Sequence, residues 1–300
     1  MSLPILEKVN LFFIVIIKIK RRTIMSNGNF TSFLEALGAF ESGINPSKDY
    51  GPHDLDWLMV FDPSKGGVDR QSVNLTNNDD LSMLQYHVHN TLGFLGKYQF
   101  GEPLLIDLGY YSPAPTGFYG TTATNEWKGT WTGKNGVNSK EEFMSQAQEL
   151  AIRDAFAMNM GVINTYLTQA GKTLDDFLGK QLTYTAQGVE HTTTVTMSGI
   201  LASAHLQGPG GVAQLLLNNT VSHDEYGTNI LSYMDWFGGF DTPFGSAAND
   251  ILSGSDYAET FEPGAGHNTI TTGGGADEIV IKANAGGQDI IKDFDIHNDV

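Results

Sequence analysis

Three short segments hold residue types that could act on a polar polymer. They are Glu41-Ser42-Gly43, Gly93-Phe-Leu-Gly96-Lys-Tyr98-Gln99-Phe100 and Ala204-His205-Leu-Gln-Gly208-Pro-Gly210-Gly-Val212. A carboxyl at the end of a helix, as Glu41 is expected to be, suits acid–base work. Cleaving a glycosidic bond needs one carboxyl that holds its proton near neutrality and then releases it to the leaving oxygen. The negative pole of a helix end favours the protonated form by only ~0.3–1 kcal/mol, so apolar surroundings must supply the rest. Phe40, Tyr98 and Phe100 are available for that purpose. Gln99 would hydrogen-bond a sugar amide or hydroxyl, and Ser42, Tyr98 and His205 complete the candidate substrate contacts. A second carboxylate could come from Glu102, Asp49, Asp54 or Asp224, and the sequence does not choose among them. The plainer alternatives are an exposed helix-end acid at Glu41 and a satisfied core histidine at His205. Trp127, Trp131, Tyr110, Tyr111 and Tyr119 suit either a sugar-stacking floor or loop packing. His53, His87 and His89 are too sparse to define a metal site without a further ligand.

A different chemistry begins at Gly245, where the sequence takes up a period of nine. The units start at Gly245, Gly254, Pro263 and Thr272. Their sixth positions hold Asp250, Glu259, Asn268 and Asp277, and their eighth positions hold Leu252, Phe261, Ile270 and Ile279. One such unit reads as a glycine turn followed by a short strand. The eighth residue would point inward, and the sixth would offer an oxygen to a cation held between turns. Calcium takes six to eight oxygens, carbonyls included, so Asp250, Glu259, Asn268, Asp277 and the later Asp289 are candidate ligands for Ca2+. A Gly/Ser/Asp linker would have no reason to keep both positions in phase.

The elements that must position these residues follow from periodicity. Phe33, Leu34, Leu37 and Phe40 predict a helix over 31–42, with Thr31 or Ser32 as cap and Gly43 as stop. Residues 44–80 read as loops with short elements. Ser139 and Glu142 could open a long helix over 140–169 as a capping box. Its expected buried stripe is Phe143, Ala147, Leu150, Ala151, Met158, Val162, Tyr166 and Leu167, with Gly171 closing it. Residues 181–197 read as a β-hairpin. Gly199–Leu206 and Val212–Leu217 read as helical segments around Gly-Pro-Gly-Gly, and one more helix is expected over 228–237.

The whole chain has 17 Lys and Arg against 34 Asp and Glu, a formal net charge of -17. That balance argues against nucleic acid and anionic lipid as partners. The acid is concentrated in 245–300, where only Lys282 and Lys292 offset ten carboxylates. There is no cysteine, so disulfides and thiolate metal sites are excluded. Near the amino end, Leu11–Ile17 is far shorter than the ~20 apolar residues a spanning helix needs, which argues against stable membrane insertion. Lys18, Lys20, Arg21 and Arg22 follow that run, the reverse of a secretory signal. Met25 reads as the start, with 1–24 an extension and a short interfacial anchor as the alternative.

Taken in order, the three segments resemble the lysozyme-like lytic transglycosylases and goose-type lysozymes. In those proteins a helix ends in Glu-Ser, a Gly-x-x-Gln segment follows, and an Ala-Tyr-Asn-x-Gly-x-Gly-x-Val segment comes later. His205 stands at the family's Tyr, and 48–90 would be an insertion. The nonapeptides resemble the repeats-in-toxin family of secreted calcium-binding proteins, and Gly286–Asp295 is similar to its closing segment. Glu259 and Asn268 depart from that family's Asp. The two resemblances imply an α+β multidomain protein. A mainly α lysozyme-like domain with a small β-hairpin would occupy 25–244, and a parallel β-roll, cut short at Val300, would occupy 245–300. They imply a secreted enzyme that cuts the β-1,4 backbone of peptidoglycan, exported by type I secretion machinery that reads the carboxy end. The alternative is a non-enzymatic, calcium-dependent adhesin or wall-binding module.

Overall fold

A computed structural model describes residues 28–51, 53–62, 67–69, 80–114, 125–224, 226–283 and 285–300. The readings of 1–24, of the Leu11–Ile17 run, of Met25 and of Tyr119 lie outside them. The described residues divide into two compact units, one within 37–155 and the other within 156–300 together with 28–36. The expected boundary at 244/245 lies inside the second of these.

Helix α1 (Phe30–Ser42) forms as its apolar spacing predicts. Its cap is Asn29 rather than Thr31 or Ser32: the Asn29 Oδ1 accepts the Ser32 N–H at 3.0 Å, a role short amides fill well. Gly43 ends the helix with φ +74.

In the unit 37–155, strands β1 (Met59–Asp62), β2 (Gly67–Asp69) and β3 (Val88–His89) form an antiparallel sheet of order β2-β1-β3. These are short elements inside and after the stretch read as loops. Helix α2 (Leu81–His87) is capped by Asp80, whose side chain accepts the Ser82 and Met83 N–H groups. Ile44, Leu55, Leu58 and Val88 make one apolar cluster, with Tyr50 and Trp57 packed against it. Helix α3 (Glu102–Asp107) follows, and β4 (Tyr111–Ser112) pairs with β5 (Thr130–Trp131).

The long helix expected over 140–169 is instead two. Helix α4 (Lys140–Phe143) is one turn, and α5 (Ala147–Gln169) begins after three intervening residues. Ser139 Oγ accepts the Glu142 N–H at 3.1 Å, as a cap should. The Glu142 carboxylate, however, turns to the Asn138 N–H, so the reciprocal half of the box is missing. Met144 leaves helical geometry at ψ 52, and the Ser145 hydroxyl accepts the Ala147 N–H to start α5. The break re-phases the buried face. Ile152, Ala155, Phe156, Met160 and Ile163 are buried beside Ala151 and Leu167, whereas Tyr166, expected inside, is 45% exposed.

In the other unit, β6 (Gln181–Ala186) and β7 (Val189–Thr194) form the expected hairpin. Its two-residue turn, Gln187-Gly188, has positive φ at both positions, the geometry that matches strand twist. Helix α6 runs over Met197–Asn218, interrupted at Gly208 (φ 68, ψ 167), and Pro209 opens its second segment. Proline suits that first position because its missing N–H has no partner there anyway. Helix α7 (Ile230–Trp236) starts from an Asn229 cap.

Five short strands close the chain: β8 (Ile251–Ser253), β9 (Thr260–Phe261), β10 (Thr269–Thr271), β11 (Glu278–Ile279) and β12 (Ile290–Ile291). All pair in parallel, in sheets of order β12-β10-β8 and β11-β9. Ile270 lies beside Leu252 and Ile279 beside Phe261, so β10 and β11 each meet the strand two nonapeptides before. Leu252, Phe261 and Ile270 are buried together, with Ile279 and Ile291 against them. Bridges Thr242–Leu252 and Phe244–Glu262 carry the same parallel pairing back before Gly245. The turns stack so closely that a Cβ on Gly273, at φ +95, would lie 2.0 Å from the Ser255 carbonyl oxygen. No described helix is long and apolar enough to cross a membrane.

Candidate functional site

Glu41 lies one residue before the end of α1 and is half-buried. The turn that follows it is built from inside. The Ser42 hydroxyl donates to the Gly38 carbonyl at 2.6 Å and accepts the Ile44 N–H at 3.1 Å. Buried Gln85 reaches across from α2, its Nε2 donating to the Ile44 carbonyl at 2.8 Å and to Ser42 Oγ at 3.3 Å. Its Oε1 is buried and accepts no hydrogen bond among the described residues. The Trp57 indole lies on the Gly43 turn: a Cβ there would sit 2.3 Å from its Cη2. Ser42 is 2% exposed, so it braces the turn after Glu41 and presents no hydroxyl to solvent.

The second segment packs on the same helix. Residues 95–100 form a tight loop, closed by backbone hydrogen bonds in both directions between Leu95 and Phe100. Gly38 admits the Lys97 stem against α1, since a Cβ there would lie 2.4 Å from Lys97 Cε. One turn of helix separates Gly38 from Glu41 and Ser42, which puts them on one face. The Lys97 ammonium donates to Glu149 Oε1 at 2.9 Å. Tyr98 and Tyr86 donate their hydroxyls to the same carboxylate at 2.9 and 2.8 Å, and Arg153 approaches its Oε2 at 3.0 Å. Burial pushes the Glu149 carboxyl up, but Lys97 and Arg153 beside it, with the Lys97 and Tyr86 hydrogen bonds, hold it below its ordinary value.

This buried charged cluster was not legible as a site. Lys97, Glu149 and Arg153 are far apart in sequence or ordinary in helical context, and nothing local marks them as buried. It reassigns Tyr98: fully buried, with its hydroxyl on Glu149, it is part of the support rather than a surface for sugar. Phe100 is likewise buried, against Tyr98 and Phe143. Gln99 alone in the loop is partly exposed. It adopts φ +51, uncommon for a residue with a side chain, and its Nε2 donates to the Gly96 carbonyl at 2.7 Å. The third segment lies in the other unit, where His205 is half-buried in α6, three residues before the Gly208 interruption.

The remaining candidates sort by their contacts. Glu102 is buried and accepts the Trp127 N–H at 3.1 Å. Asp49 and Asp54 are exposed, and Asp54 accepts the Gly51 N–H. Asp224 accepts the Tyr226 and Thr228 N–H groups and closes a turn. Trp127 and Trp131 stack at 5.8 Å, both edge-on to Tyr111, and Trp131 stacks on Phe143. Burial lowers the proton affinity of His87 and of His89, keeping both neutral near pH 7.

At the carboxy end the sixth-position side chains form two columns. In the first, Asn268 Oδ1 accepts the Asp250 N–H at 2.9 Å and Asp289 Oδ1 accepts the Asn268 N–H at 3.3 Å. In the second, Asp277 Oδ1 accepts the Glu259 N–H at 2.9 Å and Asp299 Oδ1 accepts the Asp277 N–H at 3.2 Å. Among the described residues no group of three or more His, Asp or Glu side chains is gathered as a metal cage. Calcium accepts turn carbonyls as readily as carboxylates, so such a cage is not required. The second column fits a cation on one observation: Asp277 is fully buried and its Oδ2 has no hydrogen-bond partner among the described residues. Burial, and then the nearby charges of Glu259, Asp299 and Asp293, raise that carboxyl to about 6 despite the Glu259 N–H bond. Asp293 and Asp299 were not among the expected ligands.

Comparison with protein-family models, with curated protein sequences and with solved structures gives no match for this chain.

Proposed function

We propose that this chain is a secreted, glycan-cleaving enzyme of the lysozyme-like kind, acting on the β-1,4 backbone of peptidoglycan through Glu41. The observation that carries the reading is the packing of the Glu41 helix end against the Gly96–Phe100 loop through Gly38 and Lys97. Two of the three segments that resemble the lytic transglycosylases and goose-type lysozymes thereby belong to one compact unit. In this reading Glu41 is the proton donor to the leaving sugar oxygen and then the base that receives a proton back. Gln99 contacts the sugar. Ser42, Tyr98 and Lys97 are positioning residues, because each is buried and spends its polar atoms on holding the helix end or the loop.

We read 245–300 as a parallel β-roll that takes Ca2+ outside the cell. Its support is the pairing of strands two nonapeptides apart and the inward Leu252, Phe261 and Ile270. The Glu259–Asp277–Asp299 column is where a cation would relieve a buried carboxylate, with turn carbonyls completing the shell. Type I secretion machinery reading the carboxy end is the export route this assigns. The test is the turbidity of purified bacterial walls in millimolar calcium. A steady fall with release of soluble sugar fragments supports the enzyme. Co-sedimentation with walls and no fall assigns the chain to the adhesin or wall-binding module.

A further inference from the structure

The two columns of sixth-position groups are not equivalent. In the first, Asn268 is 1% exposed. Its Nδ2 donates to Asp289 Oδ1 at 2.8 Å, to the Ala265 carbonyl at 3.1 Å and to the Pro263 carbonyl at 3.3 Å. The partners fix which way the amide faces, because every neighbour of Nδ2 is an acceptor and the neighbour of Oδ1 is the Asp250 N–H. Two turn carbonyls and a carboxylate are the kind of oxygen set that a hard cation gathers. Here an uncharged amide group with two N–H donors already fills their centre. In the second column Glu259, Asp277 and Asp299 are all acids: the Ser255 and Thr272 hydroxyls donate to Glu259 and Asp299, but Asp277 Oδ2 accepts no hydrogen bond among the described residues.

We propose that the Asn268 amide is a built-in substitute for a cation, so that one edge of the coil is closed by the chain itself and only the other edge calls for an ion. The inference rests on reading 245–300 as a calcium-taking coil, and it says where that reading does not apply. A carboxylate at 268 would face two carbonyls and Asp289 with nothing between them, and an ion would then be needed to hold them. An alanine there would leave the same oxygens without their donor.

The test uses the full chain and its Asn268→Asp, Asn268→Ala and Asp277→Asn variants. Each is titrated with calcium chloride by calorimetry and melted in chelator and in calcium. Asn268→Asp is expected to bind one more calcium equivalent than the parent, at ~10⁻⁴–10⁻³ M. Its melting midpoint should fall in chelator and recover in millimolar calcium. Asn268→Ala should melt below the parent in chelator, and Asp277→Asn should bind one equivalent fewer. Parent stoichiometry and parent chelator midpoints in both Asn268 variants would overturn the inference alone. No calcium binding by the parent or by Asn268→Asp would overturn the calcium reading itself, and the inference with it.

Discussion

Replacing Glu149 by Gln tests whether the buried charges beneath Glu41 are a structural support. The substitution keeps the shape but removes the one negative charge that Lys97 and Arg153 share, both of them buried, and puts an NH2 where the carboxylate accepted hydrogen bonds. Taking one partner from a buried ion pair costs about 3–5 kcal/mol, because the other is left without compensation. At roughly 3–4 °C per kcal/mol for a unit of this size, the melting midpoint should fall by about 9–20 °C. The pH dependence carries an independent sign. Glu149 is held below its ordinary value, so its stabilisation is fully present above the unfolded pKa of ~4.3 and is lost as pH falls through the depressed folded value. Thermal melts by circular dichroism at pH 7 and down to pH 3 measure both effects. The parent should lose stability steeply on the acid side, and Glu149→Gln should start lower and lose less. A Glu149→Gln midpoint within about 2 °C of the parent at pH 7 would refute the reasoning, since it corresponds to well under 1 kcal/mol.

Gly38→Ala should reverse a usual sign: alanine normally stabilises a helix interior by ~1 kcal/mol over glycine. Here its Cβ would strike a Lys97 stem pinned at its far end by Glu149, so a lower midpoint is expected and a higher one counts against the packing. In chelator the parent should be more stable near pH 5 than near pH 7. Asp277 is raised to about 6, so its contribution is full below the unfolded value and is lost as pH rises through 6. Asp277→Asn should flatten that profile, read from melts over the same pH range. Gly273→Ala, which places a Cβ 2.0 Å from the Ser255 oxygen at φ +95, should destabilise the parallel sheets in hydrogen-exchange measurements. Unchanged protection at Ile270 and Ile279 would contradict the stacking of the turns.

Elements with strong local patterning were legible in the sequence, and elements set by distant partners were not. Helix α1, the Gln187-Gly188 hairpin and the nine-residue phase of Leu252, Phe261 and Ile270 follow from periodicity and turn chemistry alone. The break at 144–146 was not legible, because Ser139 and Glu142 look like the opening of one long helix. It took the Glu142 bond to Asn138 to show otherwise. The site divides the same way. Glu41 and Gln99 stand out by motif, whereas the burial of Ser42 and Tyr98 is not a local property and could not be read from the sequence. Gln85 and Trp57 reach the helix end, and Glu149 reaches Lys97, only through folding, and no spacing announces them.

The most direct measurement is the rate at which Glu41→Gln degrades purified peptidoglycan, set beside the parent in millimolar calcium. The variant keeps the size and polarity of the side chain and removes only the transferable proton. General acid–base catalysis contributes ~10²–10⁴-fold, so the rate should fall by at least about a hundredfold while the melting midpoint stays at the parent value. A folded Glu41→Gln chain that releases sugar fragments at the parent rate would contradict the account, and Glu41 would then be only an acid at the end of a helix.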